Sequence, residues 1–426
     1  MKPLDKSFRH LSREDKLEML KSYGWLNDDD YATLKNYATI NEDVANSLIE
    51  NVITQGALPV GLLPQIDVEG HSYVVPMMVE EPSVVAAASY GAKLVNRTGG
   101  FKVISSERLM IGQIVFDGVE DTEALAEQIN RFDQQIKQIA DEAYPSILKR
   151  GGGYRRFEID TFPEQQLLSL KIFVDTKDAM GANMLNTMLE GIAAYLKTEI
   201  PDSDILMSIL SNHATASVVH VRGEIAVDDL GKGERSGEEV ARRMERASVL
   251  AQVDPHRAAT HNKGVMNGIH AVVLATGNDT RGAEASAHAY AAKDGQYRGI
   301  ATWKYDQERQ RLIGDIEVPM TLATVGGGTK VLPIAKASLD LLNVSSAKEL
   351  GEVVAAVGLA QNFAACRALV SEGIQQGHMS LQYKSLAISV GAQGEEIAQI
   401  AEYLKQADRA NTQVAEDKLK ELRSQQ

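Results

Sequence analysis

The stretch from residue 107 to 222 constrains the fold most, because it alternates strand and helix patterns in one order. Apolar runs predict strands at ERLMIGQIVFDGV, GGGYRRFEIDTF and LLSLKIFVDT, and again at DILMSILS and ASVVHVRGEI. Two helical patterns lie between them, EDTEALAEQINRFDQQIKQIADEAY and MGANMLNTMLEGIAAYLKTE. This order is close to β-α-β-β-α-β, the split βαβ arrangement of ferredoxin-like domains.

The sequence on both sides of this stretch is of a different kind. Ala-rich helical sequence precedes residue 107 and resumes at residue 237. We therefore predict an α+β protein in which a small ferredoxin-like domain, 107–222, is inserted into a large, mainly helical domain. The tail beyond residue 394 has apolar residues at helical spacing and predicts amphipathic helices.

Two helices near the N-terminus can be placed from local signals. One is predicted to begin at Ser12, as N-cap, and to stop near Gly24. Another follows the predicted strand 73–79 and opens at EEPS, with an acid as N-cap and Pro82 at the first helical position. Its small side chains allow the close approach of another backbone, and the sequence leaves open whether that neighbour is a helix or a ligand.

Composition excludes several classes of function. A net charge of −14 disfavours nucleic acid as a partner. The single cysteine, Cys366, excludes an intrachain disulfide and is predicted to be a core residue of a cytoplasmic protein. We see no signal peptide, no apolar run of about 20 residues and no metal-ligand spacing, so we predict neither a membrane partner nor a metal.

The segment PHRAATHNKGVMNG concentrates basic and amide side chains in an acidic chain. Such a cluster suits a carboxylate or a phosphate, although a basic surface loop would look the same. Apolar sequence on both sides predicts that Lys263 is partly buried, and a buried lysine needs a partner. Asp279, sixteen residues further on, is the candidate.

Further segments carry residues that could bind or react. One of Glu80 and Glu81 is explained as a helix cap, and the other could serve as an acid. His378, flanked by glycine in QGHMSL, could donate a proton, although a lone histidine is more often structural. DAMGAN lies at a strand-to-helix junction that would attract phosphate, but it is not GxGxxG. The glycine runs at 151–156 and 325–330 could bind phosphate or form plain turns.

Together these segments resemble the 3-hydroxy-3-methylglutaryl-CoA (HMG-CoA) reductase family. ENVITQGALPVG, VPMMVEEPSVVAAAS, DAMGAN, THNKG, TGND, VGGGTK and QGHMSL occur in the order of the family and span nearly the whole chain. NKG in place of the DKK of the eukaryotic enzymes, with no visible membrane anchor, makes the chain similar to class II, the bacterial type.

The resemblance implies a role for each matching residue. The catalytic residues would be Glu81, Lys263, Asp279 and His378. Asp279 would link the glutamate and the lysine, and His378 would protonate the departing CoA. The substrate would be held by Ser83, Arg257, Asn267 and Arg9, of which Arg257 would pair with the free carboxylate and Arg9 would contact CoA. The dinucleotide site would be lined by Tyr144, Asp178, Met180, Gly181, Ala182 and Asn183.

The implied reaction reduces HMG-CoA to mevalonate and CoA with two NAD(P)H. Relatives that use NAD carry an acid just before the proline that precedes GGG, whereas here Tyr144 precedes Pro145. This position therefore has no carboxylate that would repel a 2′-phosphate. The nearby cations are Lys149, Arg150, Arg155 and Arg156. The sequence therefore predicts NADPH, with NADH possible.

The family also implies a homodimer or higher oligomer with active sites between subunits, and a C-terminal flap carrying His378. The expected domains are a large HMG-CoA-binding domain (1–106 and 223–374), a small NAD(P)-binding domain (107–222) and a helical flap (375–426). Three alternatives remain at this point. They are an NADH-linked enzyme that oxidises mevalonate, a reductase of another acyl-CoA, and a non-catalytic homologue that binds CoA or a nucleotide.

Overall fold

The computed structural model describes residues 4, 8–231, 235–371, 373, 383–407 and 409–424. The helices are α1 (Arg13–Ser22), α2 (Asp28–Lys35), α3 (Glu42–Leu48), α4 (Val84–Asn96), α5 (Thr122–Asn130), α6 (Asp133–Ala143), α7 (Pro145–Leu148), α8 (Ala182–Glu199), α9 (Gly237–Val253), α10 (Pro255–Ala275), α11 (Thr280–Ala291), α12 (Gly328–Val331), α13 (Pro333–Leu342), α14 (Ala347–Val370), α15 (383–389), α16 (Glu395–Gln406) and α17 (Thr412–Ser424). The strands are β1 (Val60–Val68), β2 (His71–Met78), β3 (Lys102–Ser106), β4 (Met110–Asp117), β5 (Gly153–Phe162), β6 (Leu167–Asp175), β7 (Asp204–Ser211), β8 (Val218–Ala226), β9 (Ala301–Asp306) and β10 (Arg311–Pro319).

The inserted domain has the predicted ferredoxin-like sheet. Its strands lie in the order β5-β6-β4-β7, and all three pairings are antiparallel. Counted within the domain, this order is 2-3-1-4, which is the split βαβ arrangement. Helices α6 and α8 cover the sheet, and apolar side chains such as Ile114, Leu170 and Leu185 form its core.

A second four-stranded sheet has the order β3-β8-β10-β9. Strand β8 follows the small domain directly in sequence, yet it pairs with β3 and β10 over its length. The fifth predicted strand of the stretch 107–222 therefore belongs to the sheet of the large domain. The polypeptide leaves that sheet after β3 and re-enters it at β8, so the small domain is an insertion between two neighbouring strands.

Helices α4, α10 and α14 form the centre of the large domain. A Cβ added to Gly91 in α4 would lie 2.2 Å from the carbonyl oxygen of Ala360 in α14. A Cβ added to Gly268 in α10 would lie 3.1 Å from the carbonyl oxygen of Val357. The small side chains predicted on α4 therefore allow helix-to-helix contact, which settles the alternative that the sequence left open.

The expectation that no apolar segment approaches the length of a membrane span was wrong. Within the described residues, α14 is the one helix long and apolar enough to cross a membrane by length and composition. However, 78% of its most apolar stretch is buried inside the protein. The core helix of a large domain is apolar on all sides because it is surrounded by protein, so it passes the same test as a membrane span.

The C-terminal helices have a core of their own. Buried side chains of α15, α16 and α17, including Ala387, Ile400, Leu404 and Leu419, form a cluster separate from those of the other two domains. At the other end of the chain, Ser12 caps α1 as predicted and accepts from the backbone N–H of Asp15 at 3.1 Å.

Candidate active site

Helix α10 carries three of the predicted site residues. Asp254 is its N-cap, accepting from the backbone N–H two residues on at 3.0 Å, and Pro255 occupies the first helical position. The segment that could have been a basic surface loop is therefore regular helix. Lys263 and Asn267 lie on the same side of the helix because they are four residues apart.

The side chains of Lys263 and Glu81 meet across two elements. Lys263 Nζ lies 2.7 Å from Oε2 of Glu81, which follows β2. The two side chains are 60% and 41% exposed, so the expectation that Lys263 is partly buried was wrong. The structure thus brings together two of the four predicted catalytic residues and leaves them open to a ligand.

Ser83 has an unusual backbone and an unsatisfied hydroxyl. It is the N-cap of α4 with φ of +76°, and its Oγ is buried without a hydrogen-bond partner in the described structure. The helix begins at Val84, so the prediction that Pro82 would be its first residue after an acidic cap was wrong. A strained backbone and a buried, unpaired hydroxyl two residues from Glu81 are typical of a ligand-binding position.

Arg257 contacts the thiol of Cys366 and, in the described part of the chain, forms no ion pair. Its Nη2 lies 3.9 Å from Sγ, and burial raises the pKa of the Cys366 thiol to about 11. The thiol also lies 3.8 Å from Nδ1 of His261, whose Nε2 lies 2.9 Å from the carbonyl oxygen of Ala301. Burial lowers the pKa of His261 to about 4, so the ring is neutral near pH 7. Cys366 is a core residue, as predicted, and a neutral network supports Arg257.

Asp279 occupies a different position from the one predicted. It is the N-cap of α11, where Oδ1 accepts from the backbone N–H groups of Arg281 and Gly282, both at 3.1 Å. Its ion pair is with Arg281 at 3.7 Å, and the predicted pair with Lys263 is not formed. Lys263 lies twelve residues before the end of α10, so helix geometry alone separates it from the α10–α11 junction by about 18 Å.

Asn212 is a neighbour of Asp279 that the sequence did not indicate. A Cβ added to Gly282 would lie 2.9 Å from Oδ2 of Asp279 and 3.4 Å from Oδ1 of Asn212. The asparagine comes from the end of β7 in the small domain. No motif surrounds it, so only the fold could reveal that the two side chains converge.

The dinucleotide motif forms the turn between β6 and α8. Gly181 is the N-cap of α8 with φ of +87°, and a Cβ there would lie 2.3 Å from the side chain of Thr176. Met180 precedes it, and Ala182 and Asn183 form the first turn of an 18-residue helix. The backbone N–H groups of a first helical turn and the helix dipole favour an anion such as a diphosphate.

Asp178 fastens this turn to the large domain. Its Oδ1 accepts from the backbone N–H of Ala347 at 2.9 Å, at the start of α14, and its carbonyl oxygen accepts from Val325 at 3.3 Å. Gly326 and Gly327 follow with φ of +84° and +53° and with open space where a Cβ would lie. The glycine run at 325–330, which the sequence left undecided, therefore lies beside the dinucleotide motif.

Arg108 joins the same turn to the large domain from the other side, and the sequence did not single it out. Its guanidinium donates to the carbonyl oxygens of Lys177 at 2.7 Å and Ala179 at 2.8 Å. It also donates to Leu322 at 2.5 Å and Met320 at 3.4 Å in the segment after β10. Burial lowers its pKa to about 10, which leaves it protonated near neutral pH.

The cations predicted near the cofactor differ in their partners. Arg155 pairs with Asp175 at 2.9 Å, and Arg156 pairs with Glu158 at 3.1 Å. The exposed Lys149 and Arg150 form no ion pair within the described ranges. Tyr144 is half-buried between α6 and α7.

Two predicted residues cannot be placed in the site. His378 lies outside the described residues, and Arg9 belongs to a short 3-10 helix, Phe8–His10, whose arginine side chain is not described. In the part of the chain that is described, no group of three or more potential metal-ligating side chains occurs.

Comparisons with known proteins identify the family. The sequence model of the family described as hydroxymethylglutaryl-coenzyme A reductase matches residues 12–383. The chain is 40% identical over 420 residues to the 3-hydroxy-3-methylglutaryl-coenzyme A reductase of Archaeoglobus fulgidus, covering 98% of this chain and 94% of that protein. It is 34% identical to a probable reductase of Borreliella burgdorferi, covering 90% and 86%.

Solved structures of the same family are also similar to this chain. The reductase of Streptococcus pneumoniae superposes with a TM-score of 0.84 at 44% identity, covering 98% of this chain and 99% of that one. A class II structure from the same organism, bound to NADPH in open conformations, has a TM-score of 0.82, covering 86% and 99%. The chain therefore belongs to the hydroxymethylglutaryl-coenzyme A reductase family.

Proposed function

We propose that this chain reduces HMG-CoA to mevalonate and CoA with two NADPH, the reductive step of the mevalonate (isoprenoid) pathway. The observation that carries the proposal is the exposed Lys263–Glu81 pair at 2.7 Å. Nearby residues in sequence supply a half-buried arginine, Arg257, and an unsatisfied hydroxyl, Ser83. A lysine, an acid, an arginine and a hydroxyl suit a substrate with a thioester at one end and a carboxylate at the other.

The chain's own residues then have defined tasks. Each reduction builds negative charge on the carbonyl oxygen, which the Lys263 ammonium stabilises. Glu81, bonded to that ammonium, is placed to pass a proton to the same oxygen. As the C–S bond of the resulting hemithioacetal breaks, its hydroxyl returns its proton to Glu81 and becomes the aldehyde for the second reduction, and His378 protonates the departing thiolate. Arg257, Ser83 and Asn267 hold the hydroxymethylglutaryl group, and Arg9 contacts CoA.

The residues of the β6–α8 turn fit a dinucleotide. Gly181 keeps the backbone free of a side chain, and Ala182 and Asn183 form the first turn of α8, where N–H groups have no partner within the helix. Each of the two NADPH molecules would supply one hydride when bound there. The protein fixes the position of the turn through Asp178 and Arg108, so that the cofactor is held in one place relative to the large domain.

Steady-state kinetics test the proposal. We expect HMG-CoA-dependent oxidation of two NADPH for each mevalonate formed, and mevalonate- and CoA-dependent reduction of NADP⁺ in reverse. A reductase of another acyl-CoA would use substrates without the carboxylate equally well. A non-catalytic homologue would bind CoA and turn over nothing.

The preference for NADPH over NADH is part of the proposal. Tyr144 supplies no carboxylate to repel a 2′-phosphate, and Lys149 and Arg150 are exposed cations that form no ion pair with any described residue. The NADPH-bound relative supports the same choice. We expect kcat/KM to be higher with NADPH, and Lys149→Glu with Arg150→Glu to reverse that order. A wild-type preference for NADH would contradict it and favour an enzyme that oxidises mevalonate.

We also infer a homodimer in which a second copy completes the site. Helix α10 separates Lys263 from the α10–α11 junction, where Asp279 caps α11, by about 18 Å, so the two cannot act on one atom within one chain. Asp279 and Asn212 of one copy would therefore approach Lys263 and Glu81 of the other.

Mixed dimers test this arrangement. Lys263→Ala and Asp279→Ala chains are each expected to be inactive. Coexpressed, they should form dimers with one intact site, and random pairing restores about a quarter of the wild-type sites. No restored activity in dimers shown to be mixed would place both residues in one subunit.

We propose a large domain of residues 1–106 and 223–374, a small domain of residues 107–222 and a C-terminal domain of residues 375–426. Three separate hydrophobic cores support this division. The pairing of β8 favours ending the small domain before residue 218. A cytoplasmic location, the remaining part of the proposal, is supported by a single, buried cysteine.

A further inference from the structure

Four titratable side chains form a cluster where helices α10 and α11 meet. Glu284 of α11 is at its centre. Its Oε1 lies 3.0 Å from Nδ1 of His270 in α10, and its Oε2 lies 3.2 Å from Nε2 of His288, one turn further along α11. The other ring nitrogen of His288, Nδ1, lies 2.7 Å from the hydroxyl of Tyr297. None of these four residues belongs to the candidate active site.

The hydrogen bonds of this cluster all lead to Glu284. A charged carboxylate can only accept, so the ring nitrogens that face it carry the protons. His288 then has Nδ1 free to accept from the hydroxyl of Tyr297. The hydrogen bonds from His288 and His270 hold the pKa of Glu284 below its ordinary value, so the carboxylate is charged near neutral pH. Glu284 thus joins α10, α11 and the segment after α11.

Apolar packing fixes the position of α11 only weakly. The helix is described along its whole length, and the residues that it buries are small: Gly282, Ala283, Ser286, Ala287 and Ala291. Side chains of this size form shallow ridges, so a helix that carries them can shift or rotate with little steric resistance. Directed hydrogen bonds, in contrast, specify one arrangement. The hydrogen bonds of Glu284 therefore set the orientation of α11 on α10.

The cluster lies between Lys263 and Asp279. His270 follows Lys263 by two turns of α10, so the two side chains are on the same side of that helix. Glu284 follows Asp279, the N-cap of α11, by about 7.5 Å along the helix. The Asp279 carboxylate accepts from backbone N–H groups in the first turn of α11, so it moves with that helix. A rotation of α11 about the cluster would therefore displace the Asp279 carboxylate.

We propose that Glu284 is a positioning residue for Asp279. By holding α11 to α10 through His270 and His288, it fixes the place of the Asp279 carboxylate relative to the reacting carbonyl. The inference rests on the proposed function, which gives Asp279 its task and places it in the site of a second copy. A misplacement of about 1 Å can reduce a rate roughly 100-fold. Other residues hold the substrates, so the effect of Glu284 falls on kcat rather than on KM.

Removal of the carboxylate tests the role of Glu284. For Glu284→Ala we expect kcat to fall roughly tenfold, with the KM for HMG-CoA and for NADPH unchanged. Glu284→Gln should recover part of the loss, because its amide oxygen still accepts from one histidine. Glu317→Ala is the matched control, since this carboxylate accepts from Tyr290 at 2.8 Å and pairs with Lys293 at 3.4 Å at the far end of α11. It should lower the melting temperature to a similar extent and leave kcat unchanged.

Mixed dimers separate positioning from a general loss of stability. A Lys263→Ala chain paired with an Asp279→Ala chain has one intact site, whose Asp279 comes from the Lys263→Ala chain. Glu284→Ala should reduce the activity of that site when it is placed in the Lys263→Ala chain. It should have no effect when it is placed in the Asp279→Ala chain. Equal effects in the two pairings would overturn the inference.

The remaining outcomes distinguish the inference from the proposed function. A wild type that reduces no HMG-CoA would overturn both. An active wild type whose kcat is unchanged by Glu284→Ala would overturn the inference alone. Equal losses of kcat in Glu284→Ala and Glu317→Ala would mean that Glu284 only stabilises the fold, and would also overturn it. If the mixed pair restores no activity without a change at Glu284, Lys263 and Asp279 act within one subunit, and the kcat of Glu284→Ala relative to Glu317→Ala then decides the inference.

Discussion

The two halves of the candidate site are held in opposite ways. On the cofactor side, Arg108 is half-buried and donates to four carbonyl oxygens, two from the dinucleotide turn and two from the large domain. On the substrate side, Lys263 and Glu81 are exposed and have one ion pair between them. Arg257 has no anionic partner within the described ranges.

This difference indicates where ligand binding has to supply free energy. The cofactor turn is positioned by hydrogen bonds that form when the chain folds, so its geometry exists before NADPH binds. The substrate side presents charges whose partners come from the ligand and, as proposed, from a second copy. Substitutions on the first side should therefore reduce stability, and substitutions on the second should reduce activity.

Lys263→Ala should have the largest effect and tests whether the substrate side contributes to activity rather than to stability. We expect kcat to fall roughly 10²- to 10³-fold, because the charge that stabilises the oxyanion is lost. The melting temperature should not change, since the side chain is 60% exposed. Lys102→Ala is the control. A melting temperature lowered in proportion to the activity would mean that the pair is structural.

Arg108→Met tests the other half. Four carbonyl oxygens would lose their donor, and we expect the free energy of unfolding to fall by about 3 kcal/mol. The Kd of NADPH should rise more than the KM of HMG-CoA. Urea unfolding and fluorescence titration measure the two effects, and Arg131→Met, at an exposed arginine of the same domain, is the control. Unchanged stability would contradict the proposed role of Arg108.

Arg257→Gln should raise the KM for HMG-CoA roughly 10- to 100-fold, equivalent to about 1.4–2.7 kcal/mol. The expected cause is loss of the pairing with the substrate carboxylate. With 3-hydroxy-3-methylbutyryl-CoA, which lacks that carboxylate, wild type and variant should have the same KM. A difference with this substrate too would show that Arg257 acts by packing on Cys366 instead.

The smallest effect concerns the neutral network behind Arg257. The pKa of His261 is lowered from 6.5 to about 4 by burial, so below pH 6.5 the unfolded chain takes up a proton that the folded chain refuses. Stability should therefore fall as the pH falls from 6.5 towards 4, by about 2 kcal/mol between pH 7 and pH 5. His261→Gln should flatten the profile in that window. Equal slopes for variant and wild type would mean that other groups cause it.

Local signals in the sequence were enough for much of the fold. The order of periodic segments gave the ferredoxin-like insertion, and Ser12 gave a helix start. Local signals were not sufficient where the assignment of a segment depended on its contacts with residues distant in the sequence. Strand β8 has the pattern of any strand, and only its pairing with β3 and β10 assigns it to the other sheet. Helix α14 has the composition of a membrane span, and only its surroundings identify it as core.

For the site, the sequence by itself determined which residue types are present and in which order, and the match of those motifs to a family determined the chemistry. The tertiary structure decided which side chains meet. Lys263 pairs with Glu81 rather than Asp279, because α10 separates Lys263 from the helix end next to Asp279 by about 18 Å. Arg108 and Asn212 carry no motif, since their roles depend on segments distant in the chain. Lys263 and Asp279, which the sequence predicted to pair, lie apart within one chain for that reason.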